Sequence, residues 1–441
     1  MIDIMVKKLV AQAHQVAGMG QRASEQVKYQ AIFITPNGSY KTLGVEAYAE
    51  FGDFVGGRST DFSVKIRMRP SMYINNLLPY KDNLTVQLIT TDLTNNLVRE
   101  FVANPLADVD VRSEGNNSMH ANVEGLSEAA IQAYEFQLLD PVYAKARTIE
   151  TSYIGLMGQV GTVLSVLYER EMRNAGFTTV DYQGLVMDTP VDNTVNYSAI
   201  TVPEGIRLTK LATFLQESEK YGVYSKGLGL FFKQKRWWIY RLYDLYKYDD
   251  HPSPIDIIRL PEDKAPTLEY TFFITATGLT ILSTGKTSQE DGSDIERQNN
   301  GVGMRLVNPD LVGGDAGVRI NAGRAIKTRV DSLAEYQTTE RGNGNDYVPL
   351  NPVPTSNVNK YASLNAIADG TIINIPWHCG DPGYLEPGAP VRYQFMGASD
   401  RMETRRGVLL GYRMDTKVID PMTLLMKRSI TLIIFMSKPT V

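Results

Sequence analysis

The stretch Phe62–Met68 alternates apolar and polar residues at every position. A strand would therefore carry Phe62, Val64, Ile66 and Met68 on one face. Leu84, Val86 and Leu88 repeat that pattern, and Leu97–Val102 is placed to pair back on it. Upstream, Ala31–Thr35 reads as a strand, Pro36, Asn37 and Gly38 as a turn, and Tyr40–Glu50 as the return; Asn-Gly is a strong hairpin signal. Tyr134–Leu139 is a further strand, closed by Pro141. Short strands at this spacing predict a small barrel or sandwich. Strands are expected again at Ile255–Leu260, Leu268–Leu282, Thr371–Pro376, Pro390–Met396, Arg406–Asp415 and Ser429–Met436. The last is almost wholly apolar, which predicts cover by the chain on one face and by another barrel or subunit on the other.

Between these β-rich regions the period changes. Val160, Val163, Leu164, Leu167 and Tyr168 share one face of a helix over Val160–Asn174, ended near Gly176. Leu208, Leu211, Ala212 and Leu215 do the same for a helix reaching Lys220, ended by Gly222. Val223–Phe232 and Arg236–Tyr243 then read as strands joined by a polar turn, Lys233–Lys235. This hairpin carries Phe231, Phe232, Trp237, Trp238, Tyr240 and Tyr243, and the preceding helix is its nearest cover. Adjacent strand residues face opposite sides, so Trp237 or Trp238 must be core. Val318–Thr338 aligns Ala322, Ala325, Ile326 and Val330 and is expected to be helical. Val109–Ser127 is a polar loop, Thr284–Gly317 a mobile or assembly-ordered loop, and Arg341–Val358 a linker.

These elements predict an α+β chain, mostly β. Two small β-barrel-like domains, 27–150 and 361–441, flank a middle α+β domain, 151–283, built as a helix packed on an aromatic hairpin. Residues 284–360 form a polar loop and linker region. Residues 1–26 form an N-terminal arm, helical or extended, of the kind that orders against a neighbouring subunit.

Composition narrows the function classes. The 441 residues are 43% hydrophobic and 21% charged, a globular balance. Lys and Arg number 45 against 49 Asp and Glu, a net charge of −4, which argues against tight binding to a nucleic-acid backbone. The single cysteine, Cys379, excludes an internal disulfide and a Cys-based zinc site, and points to assembly in a reducing compartment. No apolar run approaches the ~20 residues that span a bilayer. The first residues lack the continuous apolar core of a secretory signal.

Candidate chemistry is sparse. His14, His120, His251 and His378 form no i, i+4 pair. His120 and Glu124 have helical spacing, but Asn116–Ser118 makes that segment a loop. His378, Cys379 and Asp381 are the most suggestive cluster. On a strand, however, His378 and Cys379 would point to opposite faces, so Cys379 is expected to be a buried apolar residue. Gly227 and Gly229 open a strand and lack the third glycine of a dinucleotide loop, and no P-loop or GxSxG elbow occurs. Asp249–Asp250 and Glu290–Asp291 read as solvated loop pairs, and Asp92, Asp108 and Asp110 lack a calcium-loop pattern. Lys233, Lys235 and Arg236 beside Trp237 and Trp238 could bind single-stranded nucleic acid, although a charged tip over a buried aromatic pair is the simpler reading. No catalytic, cofactor or metal residue is assigned.

Two stretches resemble bacteriophage tail hub (baseplate hub) proteins. One is Pro203–Asp244, with its helix, the Tyr221–Tyr224 segment, the glycine-bearing strand and the strand Trp237–Asp244. The other is Phe62–Leu88, where a strand and a Tyr- and Ile-bearing segment precede the turn Lys81–Asn83. The resemblance implies a non-enzymatic virion structural protein assembled in the host cytoplasm. Its two barrels would join those of two further copies in a homotrimeric ring between tail tube and tip spike. Implied partners are the tail tube protein, the tip spike protein, other baseplate proteins and DNA passing through the lumen without specific binding, with no stable membrane insertion. The Thr284–Gly317 region has no counterpart in that pattern. A tail-associated cell-wall hydrolase, needing only two acids in a cleft, and a receptor-binding tail protein are the alternatives. In the hub reading, Lys65, Arg67 and Arg69, opposite the apolar face of Phe62–Met68, are expected to turn outward or to meet acids of a neighbouring subunit.

Overall fold

The structure, a computed structural model, describes residues 4–19, 26–91, 96–106, 131–191, 193–218, 220–249, 251–260, 271–275, 278–283, 287–290, 318–321, 324–327, 370–396 and 402–437. The chain opens with helix α1 (Ile4–Met19), then β1 (Gln26–Thr35), β2 (Gly38–Lys41), β3 (Gly44–Asp53) and β4 (Asp61–Met68). A run of helical turns over Pro70–Met72, Tyr73–Leu77 and Leu78–Asn83 leads to β5 (Thr85–Thr91), β6 (Asn96–Pro105) and β7 (Gln132–Leu139). The middle region holds α2 (Pro141–Ala146), β8 (Ile154–Gly158), α3 (Val160–Asn174), β9 (Leu185–Met187), β10 (Tyr197–Val202), α4 (Leu208–Glu217), β11 (Leu228–Lys233) and β12 (Arg236–Arg241). There follow β13 (Ile255–Arg259), β14 (Phe272–Thr275), β15 (Gly278–Ser283), β16 (Ser288–Glu290), β17 (Val318–Asn321) and β18 (Arg324–Lys327). The last strands are β19 (Gly370–Trp377), β20 (Pro390–Met396), β21 (Met402–Asp420) and β22 (Leu425–Ser437). No described helix is long and apolar enough to cross a membrane.

The alternating pattern appears directly in burial. In β4, Phe62, Val64, Ile66 and Met68 are all buried, and Leu84, Val86 and Leu88 line the same interior. Strand pairing follows β3–β4–β7–β6–β5–β1, and then leaves the N-terminal part of the chain. Gln26–Lys28 of β1 pairs with Leu425–Lys427 of β22, β22 pairs with β21, and Gly411–Asp415 of β21 pairs with Ala49–Asp53 of β3. The pairings therefore close a ring, and its last two members come from the end of the chain. The other half of the same hairpin serves the C-terminal strands: Met402–Val408 pairs with β20, and Ile430–Ser437 with β19. Strand pairing thus crosses the boundary expected between 27–150 and 361–441, and the long hairpin is common to both regions. A register shift between Leu409 and Gly411 marks the change of partner; a bulge lets a strand bend from one sheet into the next.

The central hairpin has two buried faces. Phe231, Trp238 and Tyr240 join the core of the large sheet, whereas Leu230, Phe232, Trp237 and Ile239 join a second core with α3 and α4. The expected helix-on-hairpin packing is present, and both tryptophans are core. Gly229 has a structural duty here, since a Cβ would lie 2.1 Å from the Tyr240 ring.

Several expectations are corrected. The arm 1–26 holds α1, whose Leu9, Ala13 and Val16 pack on Ile258, Leu260 and Leu282 of the same chain rather than waiting for a neighbour. α4 stops at Glu217 because Ser218 is already extended, with ψ 139°. Lys233 belongs to β11, and the turn is Gln234–Lys235 with φ of 53° and 62°. That is the paired positive-φ geometry of a tight two-residue hairpin, here without glycine. Val318–Thr338 contains the antiparallel strands β17 and β18 rather than a helix; the two-residue alternation of Val318 and Ile320 outweighs the weaker helical spacing. Within Thr284–Gly317, β16 pairs with β19. Ser429–Met436 lies inside the sheet between β19 and β21, and Phe435 on one of its faces meets Tyr243 of this chain at 5.1 Å. The expected loops Val109–Ser127 and Arg341–Val358 fall outside the described residues.

Candidate functional site

A cavity of about 770 Å³ opens where the mouth of the first ring meets the tip of the central hairpin and the turn at Asp381–Tyr384. β6 contributes Leu97, Arg99 and Phe101 to it, β5 contributes Thr90, and β1 and β3 contribute Tyr29 and Glu50. Residues at i and i+2 share a strand face, so Tyr48 and Glu50 both point inward, and an acid sits in an otherwise apolar row.

That acid is held by three partners. Tyr412 donates to Glu50 Oε1 at 2.6 Å, Tyr48 donates to Oε2 at 3.2 Å, and Arg99 Nη1 lies 3.5 Å from Oε2. Arg99 Nη2 also donates to the Tyr48 hydroxyl at 2.8 Å. The guanidinium stacks against Tyr48, Phe62 and Phe101, with ring centroids at 5.6, 5.7 and 5.5 Å. Burial pushes the phenols of Tyr48 and Tyr412 well above their usual range, opposed at Tyr48 by Arg99 and reinforced at both by Glu50, so both remain donors.

Lys233 closes the floor. Its Nζ donates to the carbonyls of Pro382 at 2.6 Å and Leu385 at 2.5 Å and sits 5.1 Å from the centre of the Tyr412 ring. Burial lowers its pKa to about 8, against the opposing pull of Glu50, Asp381 and Glu386. Burial likewise raises the Glu386 carboxyl, which Lys233 and Arg236 partly offset. Tyr240 donates to the Phe54 carbonyl at 2.5 Å, and the Phe232 amide donates to the Arg58 carbonyl at 2.7 Å. The hairpin is thereby tied to the ring, and the mouth is a joint between three parts of the chain.

Of the four acids lining the cavity, three are engaged, and Glu100 is exposed without a side-chain partner among the described residues. Asp140 caps α2 by accepting the amides of Val142 and Tyr143, Asp381 accepts the Gly383 amide, and Glu50 is held as described. No pair stands free in the manner of a general acid and base. Among the described residues no three His, Cys, Asp or Glu side chains converge as a metal site.

The candidates from sequence scatter. His14 is exposed on α1, and His378 is exposed. His251 is half-buried, and its Nδ1 accepts the Ser253 amide at 3.1 Å. Cys379 is half-buried in the turn after β19 with φ 47°, not on a strand and not in the core as expected. Its carbonyl accepts the Thr271 hydroxyl. Asp249 pairs with Arg406 at 2.9 Å. Lys235 Nζ donates to the Val180 carbonyl, and Trp237 and Trp238 are buried, so the basic tip offers no stacking surface. His120, Glu124, Asp92, Asp108, Asp110, Asp250 and Asp291 lie outside the described residues. The sequence did carry a signal for the mouth. Glu50 and Arg99 are charged residues in apolar phase on their strands, and Lys233 ends a run of buried aromatics.

No protein-family model matches the chain, and no curated protein matches it in sequence. Solved structures with a similar chain path include prophage tail proteins and a virion baseplate. The 43 kDa tail protein of prophage MuSo2 from Shewanella oneidensis is 10% identical at TM-score 0.46, over 92% of this chain and 98% of that one. Prophage tail protein gp18 from Listeria monocytogenes EGD-e is 9% identical at TM-score 0.39, over 92% and 94%. The p2 virion baseplate in its activated conformation gives 10% identity at TM-score 0.31, over 94% of this chain and 100% of that chain.

Proposed function

We propose that the chain is a non-enzymatic structural protein of a bacteriophage tail, the hub ring of the baseplate, joining the tail tube to the tip spike and lining part of the DNA conduit. The reading starts from the resemblance of Phe62–Leu88 and Pro203–Asp244 to tail hub proteins. The observation that carries it is the shared hairpin β21–β22. One half completes the first ring and the other half is central to the C-terminal sheet. Force passing between the two regions would run through continuous strands whose cross-strand hydrogen bonds lie perpendicular to the chain, loaded together rather than one at a time. Such a joint suits a part that must transmit load. Among the described residues the mouth presents no pair of unengaged acids, so it lends a wall-degrading reading no support.

In this reading the chain forms a homotrimer in the virion, contacts tube, spike and other baseplate proteins, and lets DNA pass without holding it. Electron microscopy of tagged particles tests it, with the tag expected at the tail tip below the tube. A tag at the neck, or a chain that stays monomeric by mass photometry when tube protein is present, would overturn it. Lysis of purified cell wall by the isolated chain would favour the hydrolase, and binding of the isolated chain to host cells the adhesin.

A further inference from the structure

Among the described residues, the edge of β6 is open beside the cavity. β6 pairs with β5 along Asn96–Val102 but with β7 only over Val102–Pro105. The cause is local: after Leu139 the chain reaches Asp140 and Pro141, and Asp140 caps α2, so the residues that would continue the ladder turn into a helix. Asn96–Phe101 is left without a described strand on that side. The Ala103 amide donates toward β5, to the Leu84 carbonyl at 2.8 Å, and the Leu106 amide donates toward β7, to the Glu135 carbonyl at 2.9 Å. Strand alternation then directs the amides of Asn96, Val98 and Glu100 to the open side. Leu97 and Val98 on this segment are both 55% exposed.

The cavity face of the same segment carries unmet polarity. Leu97, Arg99 and Phe101 line the cavity with Thr90 across the ladder from Leu97. Arg99 Nε and the Thr90 hydroxyl are buried atoms without a hydrogen-bond partner among the described residues. The remaining Arg99 nitrogens are engaged by Glu50 and Tyr48, the nearby acids Asp140 and Asp381 are engaged by backbone amides, and Glu100, the next residue on the strand, points to the opposite face from Arg99. A buried donor of a charged group left unpaired is costly, and the complement of a guanidinium Nε–H is a carboxylate.

We propose that this edge receives an extended segment of a partner protein, which adds as a strand to Asn96–Phe101 and points a Glu or Asp side chain into the cavity at Arg99. A strand laid there places its alternate side chains ~5 Å from Leu97 and Arg99 on the cavity face. The segment therefore has an acidic residue at one inward position and an apolar residue at the next. The assignment does not depend on the hub reading.

The test uses the intact chain and a short capped peptide in which one glutamate and one valine occupy successive positions of the same strand face, separated by threonine, with glutamine and backbone N-methylated versions as comparisons. The glutamate peptide is expected to bind saturably and to protect the Val98 and Glu100 amides from hydrogen exchange. The glutamine peptide should bind about tenfold more weakly, the scale of one charge-assisted hydrogen bond. Val98→Pro removes an edge donor while sparing the β5 ladder and should abolish binding; the N-methylated peptide tests the same pairing with the protein unchanged. Absence of binding by the glutamate peptide, equal binding of the glutamine or N-methylated peptide, or binding indifferent to Val98→Pro in a folded variant would each overturn the proposal. Self-association of the chain that Val98→Pro abolishes would overturn it too, by assigning the edge to a second copy.

Discussion

The carbonyl of Leu410 accepts the backbone amide of Phe54 at 2.9 Å. Leu410 sits at the bulge where β21 exchanges one set of neighbours for another, and Phe54 follows the last residue of β3. The bond fills the polar group that the bulge would otherwise leave unpaired. Phe54 also packs edge-on against Phe231 at 4.8 Å, and its carbonyl accepts the Tyr240 hydroxyl. One residue thus couples the ring, the shared hairpin and the central hairpin.

The first prediction concerns that bulge. A Cβ on Gly411 would lie 2.4 Å from the backbone oxygen of Gly52, which has no side-chain freedom with which to yield. Gly411→Ala should destabilise the chain by about 1–3 kcal/mol, the usual cost of overpacking. Gly18 in α1 meets nothing within 4 Å, so Gly18→Ala should be neutral or stabilising. Denaturant midpoints check both, and equal midpoints for the two variants would refute the prediction.

The two tryptophans should both matter, in different places. Trp237 packs against Tyr168 of α3 at 5.5 Å, whereas Trp238 faces the large sheet and donates from Nε1 to the Lys233 carbonyl at 3.1 Å. Each alanine variant should lose about 3–5 kcal/mol. Hydrogen exchange separates them, with Trp237→Ala deprotecting α3 and α4 first and Trp238→Ala deprotecting the strands at the ring mouth. Parental melting by either variant contradicts the two-faced hairpin.

Stability should depend on alkaline pH through Lys233. Its pKa is lowered from 10.5 to about 8 by burial, so between those values the unfolded chain binds more protons and stability rises with pH. A neutral amine keeps two N–H donors, enough for the Pro382 and Leu385 carbonyls. Buried phenols act in the opposite sense. Tyr29 is raised from 10.0 to about 12 by burial, and burial raises Tyr48, Tyr240 and Tyr412 as well, so stability falls as pH climbs past 10.0. Melting should therefore show a rising limb from about pH 8 that turns over near 10. Lys233→Met should flatten that limb whatever its effect at neutral pH. An unchanged limb in the variant would show that Lys233 is not its source.

The isolated chain should not retain duplex DNA at physiological salt. Lys65 lies 3.5 Å from Glu135 and Arg67 lies 3.1 Å from Glu46, so both cations of β4 pair with acids of the chain itself while staying partly exposed on the outward face. Each phosphate contact adds to a salt-dependent affinity, and paired cations supply few. A gel-shift complex that dissolves steeply with added salt would contradict both this pairing and the conduit reading.

Sequence by itself determined the local elements. Period-two alternation in Phe62–Met68 and Leu84–Leu88 had one physical solution, a strand with a single buried face. The helical spacing of Val160–Tyr168 and Leu208–Leu215, followed by an aromatic hairpin, dictated a helix-covered sheet, because that much aromatic surface cannot remain in water. Tertiary structure alone decided which strands pair. β21 and β22 satisfy the same alternation in any sheet, and nothing local announces that one half of each joins β3 and β1 while the other half joins β20 and β19. Backbone hydrogen bonds carry no sequence label, so that choice follows from which edges remain open once the rest has folded. The ring mouth arose in the same way. Glu50, Arg99, Lys233 and Tyr412 come from four distant strands, each an isolated polar residue in its own segment. Only their convergence, with the contacting atoms largely buried, makes them a network.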